Sequence, residues 1–499
     1  MSSKVSGLLS ESLDPVLQRE MVAPALAKAF PAALPLITAI NKAHVLMLRE
    51  RGIVAHDVAR SLAGAILDLE RQGPGAFELD PAREDSYFNY EARLVEMVGA
   101  DVGGRVHVAR SRNDLYATMD RLRARGALMA ITRGMLDLRA AMLERATLHR
   151  DVLMPGYTHM QPAQPITFGY YLAGIAQALE RDHRRFAESW PRLNRGPLGA
   201  GALAGTSFPI DRAMTARLLG FESVEPHAQD SIGARDQLLE LLSIAAIAAT
   251  NWGRMAQDFF FMTTYEFATL AFPDTVAQTS SMMPQKRNMT TLEHLKASAA
   301  IVLGAQVTAL AGFRGANASM MIDACVDSFH WAWDALDETR RALAVAEVVV
   351  RAAEPRRERM RELVHANFAT ATDLADALVR EAGLSFREAH HLVGAVVRTA
   401  MAKGLTADRI DAALVAAEAR AMLGRDLALP AAAIAGAVDP AKAAEARRGT
   451  GGPAREDVDA MLAAMRTTLA RDAAEFAARR DAVAAAEARL DEAFRALAA

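Results

Sequence analysis

The chain has almost no cysteine. Its single thiol, Cys325, can form no intramolecular disulfide, and there is no cysteine cluster to hold zinc. Met320, Met321, Ile322 and Val326 surround it in sequence, so it reads as a small packed apolar group rather than a nucleophile. Aromatic residues are scarce, at 6%, and runs in which β-branched and polar residues alternate are rare. That removes most sheet architectures and leaves an all-α protein as the expectation. Neither sign of charge dominates: the formal net charge is −3, with both signs interspersed. A broad electrostatic surface for nucleic acid or membrane is therefore excluded. No basic stretch followed by an apolar core opens the chain, so no secretory signal is expected and the expected location is cytoplasmic. The uncharged run from Ala297 to Phe313 falls short of the roughly 20 apolar residues that span a bilayer. It also carries Gln306 and Thr308, and a buried helix is expected there.

What the sequence does have is length and helical patterning. At 499 residues it exceeds a single hydrophobic core, and three regions are expected. Residues 1–113 mix short helices with turns such as Gln72-Gly73-Pro74-Gly75. Residues 114–363 read as long helices. There Leu128, Ile131, Met135, Leu138 and Met142 follow a 3-4-3-4 spacing, widened by Leu122, Met129, Leu136 and Leu143. Between Leu241 and Gly253 no charge occurs at all. Helices apolar over so much of their circumference imply a bundle core larger than one chain covers, hence an oligomer. Residues 364–499 turn to shorter helices. After the Arg448–Pro453 break, the Ala/Glu/Arg pattern from Asp457 onward reads as a solvent-facing helix.

Four segments carry chemistry. The first is Thr279-Ser280-Ser281-Met282-Met283-Pro284-Gln285-Lys286-Arg287-Asn288, followed by Glu293. Two hydroxyls, a cation and an amide on one loop suit the capture of a small anion. Ser280 is a candidate base, with Lys286 and Asn288 holding a carboxylate whose charge grows during reaction. The competing reading is a cap for the helix after it, with Thr290 or Thr291 as N-cap and Glu293 closing a capping box. In the second segment, Met154 to Pro165, three prolines and a glycine force a rigid non-helical turn that presents Thr158 and His159. The third, His107-Val108-Ala109-Arg110-Ser111-Arg112-Asn113-Asp114, offers donors for a carboxylate at the start of a long helix. The fourth, Pro197 to Thr206, is glycine-rich but lacks a phosphate-loop lysine, and its small residues suit close backbone packing.

These segments, in this order, resemble those of argininosuccinate lyases in the fumarase/aspartase superfamily, with the likeness running from about Lys42 to Lys403. The resemblance implies an all-α, three-domain fold whose long central bundle forms the core of a homotetramer, with each active site built from three subunits. It implies no cofactor and no metal, and a reaction that eliminates an amine from an N-substituted aspartate to release fumarate. Residue by residue, it implies Ser280 as the catalytic base, His159 with Glu293 as a paired site group, and Lys286 as a catalytic cation. Ser111, Arg112, Asn113, Thr158, Ser281, Met283 and Asn288 would bind the succinyl half. The chain departs from that pattern where the amine-bearing half is recognised. The family's tyrosine, glutamine and lysine fall roughly at Met321, Val326 and Phe329 within Ser319–Phe329, and a usual proline and aspartate fall at Met289 and Thr290. Apolar groups cannot pair with a guanidinium. The expectation is therefore a lyase acting on an aminopolycarboxylate such as ethylenediamine-N,N′-disuccinate. An argininosuccinate lyase, and a non-catalytic crystallin-like structural protein, are the alternatives.

Overall fold

The structure is a computed structural model and describes residues 11–427 and 429–499. Three buried apolar clusters organise it. The first gathers helices α1 (Ala23–Glu50), α2 (His56–Gln72) and α3 (Ser86–Val98). The second is the core of a bundle of five long helices. These are α4 (Arg112–Leu148), α5 (Phe168–Leu193), α6 (Asp236–Met262), α7 (Thr290–Phe313) and α8 (His330–Ala352). Helix α9 (Arg357–Ala366) then leads to the third cluster, formed by α10 (Ala371–Ala382), α11 (Phe386–Ala402), α12 (Ala412–Leu423) and the segment to Val438.

Helix α4 sets the scale. Its 3-4-3-4 positions from Leu128 to Met142 are all buried, and the widened stripe is buried at Leu122, Leu136 and Leu143. With 37 residues it is about 55 Å long at 1.5 Å per residue. Helices α6 and α7 run antiparallel, as two hydrogen bonds at opposite ends of their contact require. Trp252 Nε1 donates to Ser298 Oγ (3.1 Å), and Gln306 Nε2 donates to Ser243 Oγ (3.2 Å). Where α4 ends, strands β1 (Leu153–Thr158) and β2 (Gln161–Thr167) pair antiparallel, with an irregularity between Pro155 and Tyr157. Further on, β3 (Gln278–Thr279) and β4 (Arg287–Asn288) close a second, smaller hairpin.

Two expectations need correction. The final stretch is one 44-residue helix, α13 (Arg455–Ala498), and it is not simply solvent-facing. Val458, Leu462, Met465 and Val483 enter the bundle core, while Leu490, Phe494 and Leu497 enter the N-terminal core. Charged residues fasten it: Arg139 donates to Asp472 (2.7 Å), and the buried Lys42 reaches both Glu70 (2.6 Å) and Asp491 (2.8 Å). The region 364–499 is thus a small helical unit followed by a strap across the other two. The second correction concerns Ala297–Phe313, which is only half enclosed. Leu295, Val302, Ala305 and Ala309 are buried, but Ile301, Leu303, Val307 and Leu310 are between 42 and 56% exposed. By length and hydropathy alone α7 would also suffice to cross a membrane, yet its buried face packs on α6 and α8.

Candidate active site

At the N-terminal end of α4 the third motif folds into a dense polar knot. Ser111 is the N-cap: its Oγ accepts the Asn113 N–H (3.2 Å), and Asp114 Oδ1 accepts the Ser111 N–H (3.1 Å). The other oxygen of Asp114 accepts the Gly199 and Gly201 N–H groups (2.9 and 3.0 Å). Both glycines have positive φ, and a Cβ on Gly201 would lie 2.4 Å from the Gly205 carbonyl. The fourth motif is therefore a backbone cradle for Asp114. Asn113 Nδ2 donates to the Ala202 carbonyl (3.1 Å), linking the two motifs again. Arg112 Nη1 donates to Glu84 (2.9 Å) and Asp85 (2.7 Å), and its guanidinium lies 4.1 Å from the Phe88 ring centroid. Arg110 is buried against the Tyr87 hydroxyl (2.9 Å) and is not open to a ligand. Glu84 and Asp85, which hold Arg112, carried no sequence signal: they fall between two short helical stretches, 28 and 27 residues before their partner.

The second motif occupies the tip of the first hairpin, at the opposite end of α4. His159 and Met160 are its two turn residues, with φ of 52° and 59°. Two non-glycine residues in the left-handed region cost roughly 1 kcal/mol or more each. Thr158, His159 and Met160 are exposed, and they edge a cleft of about 530 Å³ between the hairpin and the ends of α6 and α9. No intrachain hydrogen bond or ion pair joins His159 to Glu293 among the described residues.

The first motif is the tip of the second hairpin. Pairing of Gln278 with Asn288 and of Thr279 with Arg287 closes it, and Arg287 anchors it to the Phe272 carbonyl and Asp274 (both 2.8 Å). Ser280 Oγ accepts the N–H groups of Met282 (3.3 Å) and Met283 (3.0 Å). Donors so placed favour a negatively charged oxygen over a neutral hydroxyl. Ser281, Met283 and Lys286 are exposed and Asn288 is half-buried. The capping alternative for this loop fails. The N-cap of α7 is Met289, with no side-chain cap bond, and Thr291 Oγ1 donates instead to the Val276 carbonyl (2.9 Å). Glu293 is left exposed on the first turn.

One chain does not unite the three clusters. Ser111, Arg112 and Asn113 lie about 55 Å of helix away from Thr158 and His159, far beyond the reach of a small dicarboxylate. The antiparallel register of α6 and α7 puts Glu293 and the Ser280 loop at the end of the bundle that carries His159. At the Asn113 end sit instead Ser319 to Phe329, where Ser319 lies against Gly233 and the Cys325 thiol donates to the Gly233 carbonyl (3.8 Å).

Comparison with known proteins identifies the family. Residues 23–304 match the lyase family, and residues 368–439, nearly coincident with the third core, match the argininosuccinate lyase C-terminal family. The chain is 37% identical to argininosuccinate lyase 1 of Shouchella clausii (strain KSM-K16), over 87% of each protein. It is 38% identical to argininosuccinate lyase of Methanoculleus marisnigri, again over 87% of each. Among solved structures, a double-methionine variant of EDDS lyase with bound fumarate superposes with a TM-score of 0.87 at 31% identity, covering 98% of this chain and 97% of that one. A class II fumarase from Schistosoma mansoni shares the fold alone, with a TM-score of 0.66 at 16% identity, covering 83% of this chain and 91% of that one. The chain belongs to the argininosuccinate lyase family of the fumarase/aspartase superfamily and is a carbon–nitrogen lyase.

Proposed function

We propose that the protein reversibly eliminates an amine from an N-substituted L-aspartate to give fumarate, and that its substrate is an aminopolycarboxylate of the ethylenediamine-N,N′-disuccinate kind. Ser280, as alkoxide, takes the proton from the carbon β to nitrogen. The adjacent carboxylate absorbs the electron pair as a doubly charged aci-carboxylate, stabilised by Lys286, Asn288 and the hydroxyls of Thr158 and Ser281. The carbon–carbon double bond then forms as the carbon–nitrogen bond breaks. The nitrogen keeps that bond's electron pair and takes a proton, leaving fumarate and a free amine. Ser111, Arg112 and Asn113 hold the second carboxylate. His159 and Glu293 act as a pair across the site.

Because the clusters lie at opposite ends of α4, each site draws on more than one copy, and the assembly proposed is a homotetramer. The open apolar row on α7 and the exposed Ile247 on α6 and Val348 on α8 support this, since such a surface needs a partner. The observation that carries the catalytic reading is Ser280 Oγ in its pair of backbone N–H donors on an exposed hairpin. For the amine half, Ile322 (68% exposed) and Val326 (49%) present apolar surface at the Asn113 end, where a guanidinium would need acceptors. Argininosuccinate is the second reading, favoured by the identity to argininosuccinate lyases. Fumarate release should be measured on both substrates. Ser280→Ala should lower turnover roughly a thousandfold on whichever is used, the scale of losing a positioned base. Retained turnover in that variant would remove Ser280 from the reaction.

A further inference from the structure

The loop that carries Glu84 is built under strain. Glu84 has φ 68° and ψ −54°, and the Asp85 N–H closes back on the Arg83 carbonyl (2.8 Å). Those angles and that bond make a three-residue γ-turn of the rare, strained kind, uphill for any residue with a Cβ. The surroundings impose it. Asn89 is buried; its Oδ1 accepts the Asp80 N–H (2.8 Å), and its Nδ2 donates to the Asp80 and Asp85 carbonyls (3.2 and 2.8 Å). The chain is thus pinned on both sides of the turn. Glu84 itself is exposed, and among the described residues its carboxylate meets only Arg112 Nη1 (2.9 Å). Asp85 is half-buried and held twice. Its Oδ1 accepts the Phe88 N–H (2.9 Å) as the N-cap of α3, while Oδ2 accepts Arg112 Nη1 (2.7 Å).

Both hydrogens of Arg112 Nη1 are thereby used. Nε and Nη2 make no hydrogen bond among the described residues, and their parallel N–H groups form an edge that a carboxylate can grip with both oxygens. A ligand carboxylate there would be the third on one guanidinium, and Arg110, turned to Tyr87 and buried, offers it no charge. One acid has to give way. Glu84 has the single contact, the exposed side chain and the strained backbone. Resting on the reading above, in which Arg112 holds the substrate's second carboxylate, we propose that Glu84 is an internal stand-in for that carboxylate: it neutralises Arg112 in the empty site and yields it when a dicarboxylate arrives. Asp85 is a positioning residue, which keeps the guanidinium edge aimed while Glu84 moves aside. The exchange acts on affinity, not on bond breaking. Glu84 competes with substrate on entry and with fumarate before release, and so keeps the site from holding its dicarboxylates too tightly.

The test uses the intact protein, with succinate binding measured by calorimetry and fumarate release followed kinetically. Glu84→Gln keeps the length and can still accept from Arg112, but carries no charge. Glu84→Gly removes the side chain and suits the positive φ. Both variants should bind succinate about three- to fivefold more tightly than the parent, the scale of one partly exposed ion pair. KM for the succinyl substrate should fall by a similar factor. Glu84→Asp, which retains the charge on the same turn, should stay closer to the parent. A merely structural ion pair would give no such gain, so unchanged or weaker succinate binding in both Glu84→Gln and Glu84→Gly, with helicity intact, overturns the inference. Arg112→Gln tests the assignment beneath it and should weaken succinate binding by at least about tenfold. Unchanged affinity in that variant would take Arg112 out of the site, and the stand-in with it. Should the parent release no fumarate from either proposed substrate while Glu84→Gln still tightens succinate, the lyase reading falls and the stand-in remains.

Discussion

At the residue scale, Asp114 shows how one side chain can support a site without touching substrate. It is fully buried, and burial outweighs its three backbone N–H donors, raising its carboxyl to about 6 from an ordinary 3.8. A folded-state acid raised in this way binds a proton more readily than the unfolded chain does. Its contribution is therefore complete below about pH 4 and is lost as pH rises through 6, by on the order of 2–3 kcal/mol. Asp114→Asn should remove that increment. In urea unfolding, the stability gap between parent and variant should widen in the parent's favour as pH falls from 7 towards 4. A gap independent of pH would show that Asp114 is ionised throughout. The sequence placed Asp114 at the start of a long helix. That Gly199 and Gly201 form its cradle could not be read there, because the contact joins segments 85 and 87 residues apart. Arg112 was read as a donor to a substrate carboxylate. The carboxylates that hold it, Glu84 and Asp85, become visible only once α3 is folded against α4.

At the element scale, the helices legible in sequence are those whose apolar residues are large. Leu128 to Met142 announce α4 because leucine, isoleucine and methionine at 3-4-3-4 spacing have no other economical arrangement. Helix α13 is harder to read. Its buried positions are widely spaced, Val458, Leu462 and Met465 give way to long charged intervals before Val483, and a buried ion pair, Asp472 to Arg139, fastens the middle. The Met154–Pro165 turn was legible as rigid but not as a hairpin, since Pro155, Pro162 and Pro165 are poor strand residues outside an edge. The α13 contact also has a pH signature. His183 on α5 is buried 3.4 Å from Asp472, with Arg139, Arg471 and Arg479 close by and Glu180 on the far side of Arg139. Burial and then the Arg139 charge hold its imidazole well below the ordinary range. A depressed histidine contributes stability above its unfolded value, near 6.5, and that stability is lost as pH falls below it. His183→Gln should therefore flatten the acid limb: between pH 7 and 5 the parent should lose at least about 1 kcal/mol more than the variant in urea titrations. Equal losses would show that His183 takes up its proton as readily in the fold as in the unfolded chain.

At the scale of the whole molecule, the length of α4 governs everything that follows. Its two ends carry groups proposed for a single site, and no bending of a packed 37-residue helix brings them together. Under the proposed assembly, two copies running past one another in opposite directions would do so directly, with the open apolar row on α7 as a surface for it. This geometry separates an active site within a chain from one between chains. Asn113→Leu disables the group at one end of α4, and Ser280→Ala disables the loop at the other end of the bundle. Each variant alone should be inactive. Unfolded together in equal amounts and refolded, they should regain roughly one quarter of parental fumarate release. A site then takes its Asn113 from an intact copy half the time and its Ser280 from an intact copy half the time, independently. If both groups served a site within one chain, every site would lack one of them, and mixing would restore nothing. Refolding each variant separately and mixing afterwards provides the control. Activity that grows slowly in that control would report subunit exchange, and its rate would measure how firmly the copies hold together.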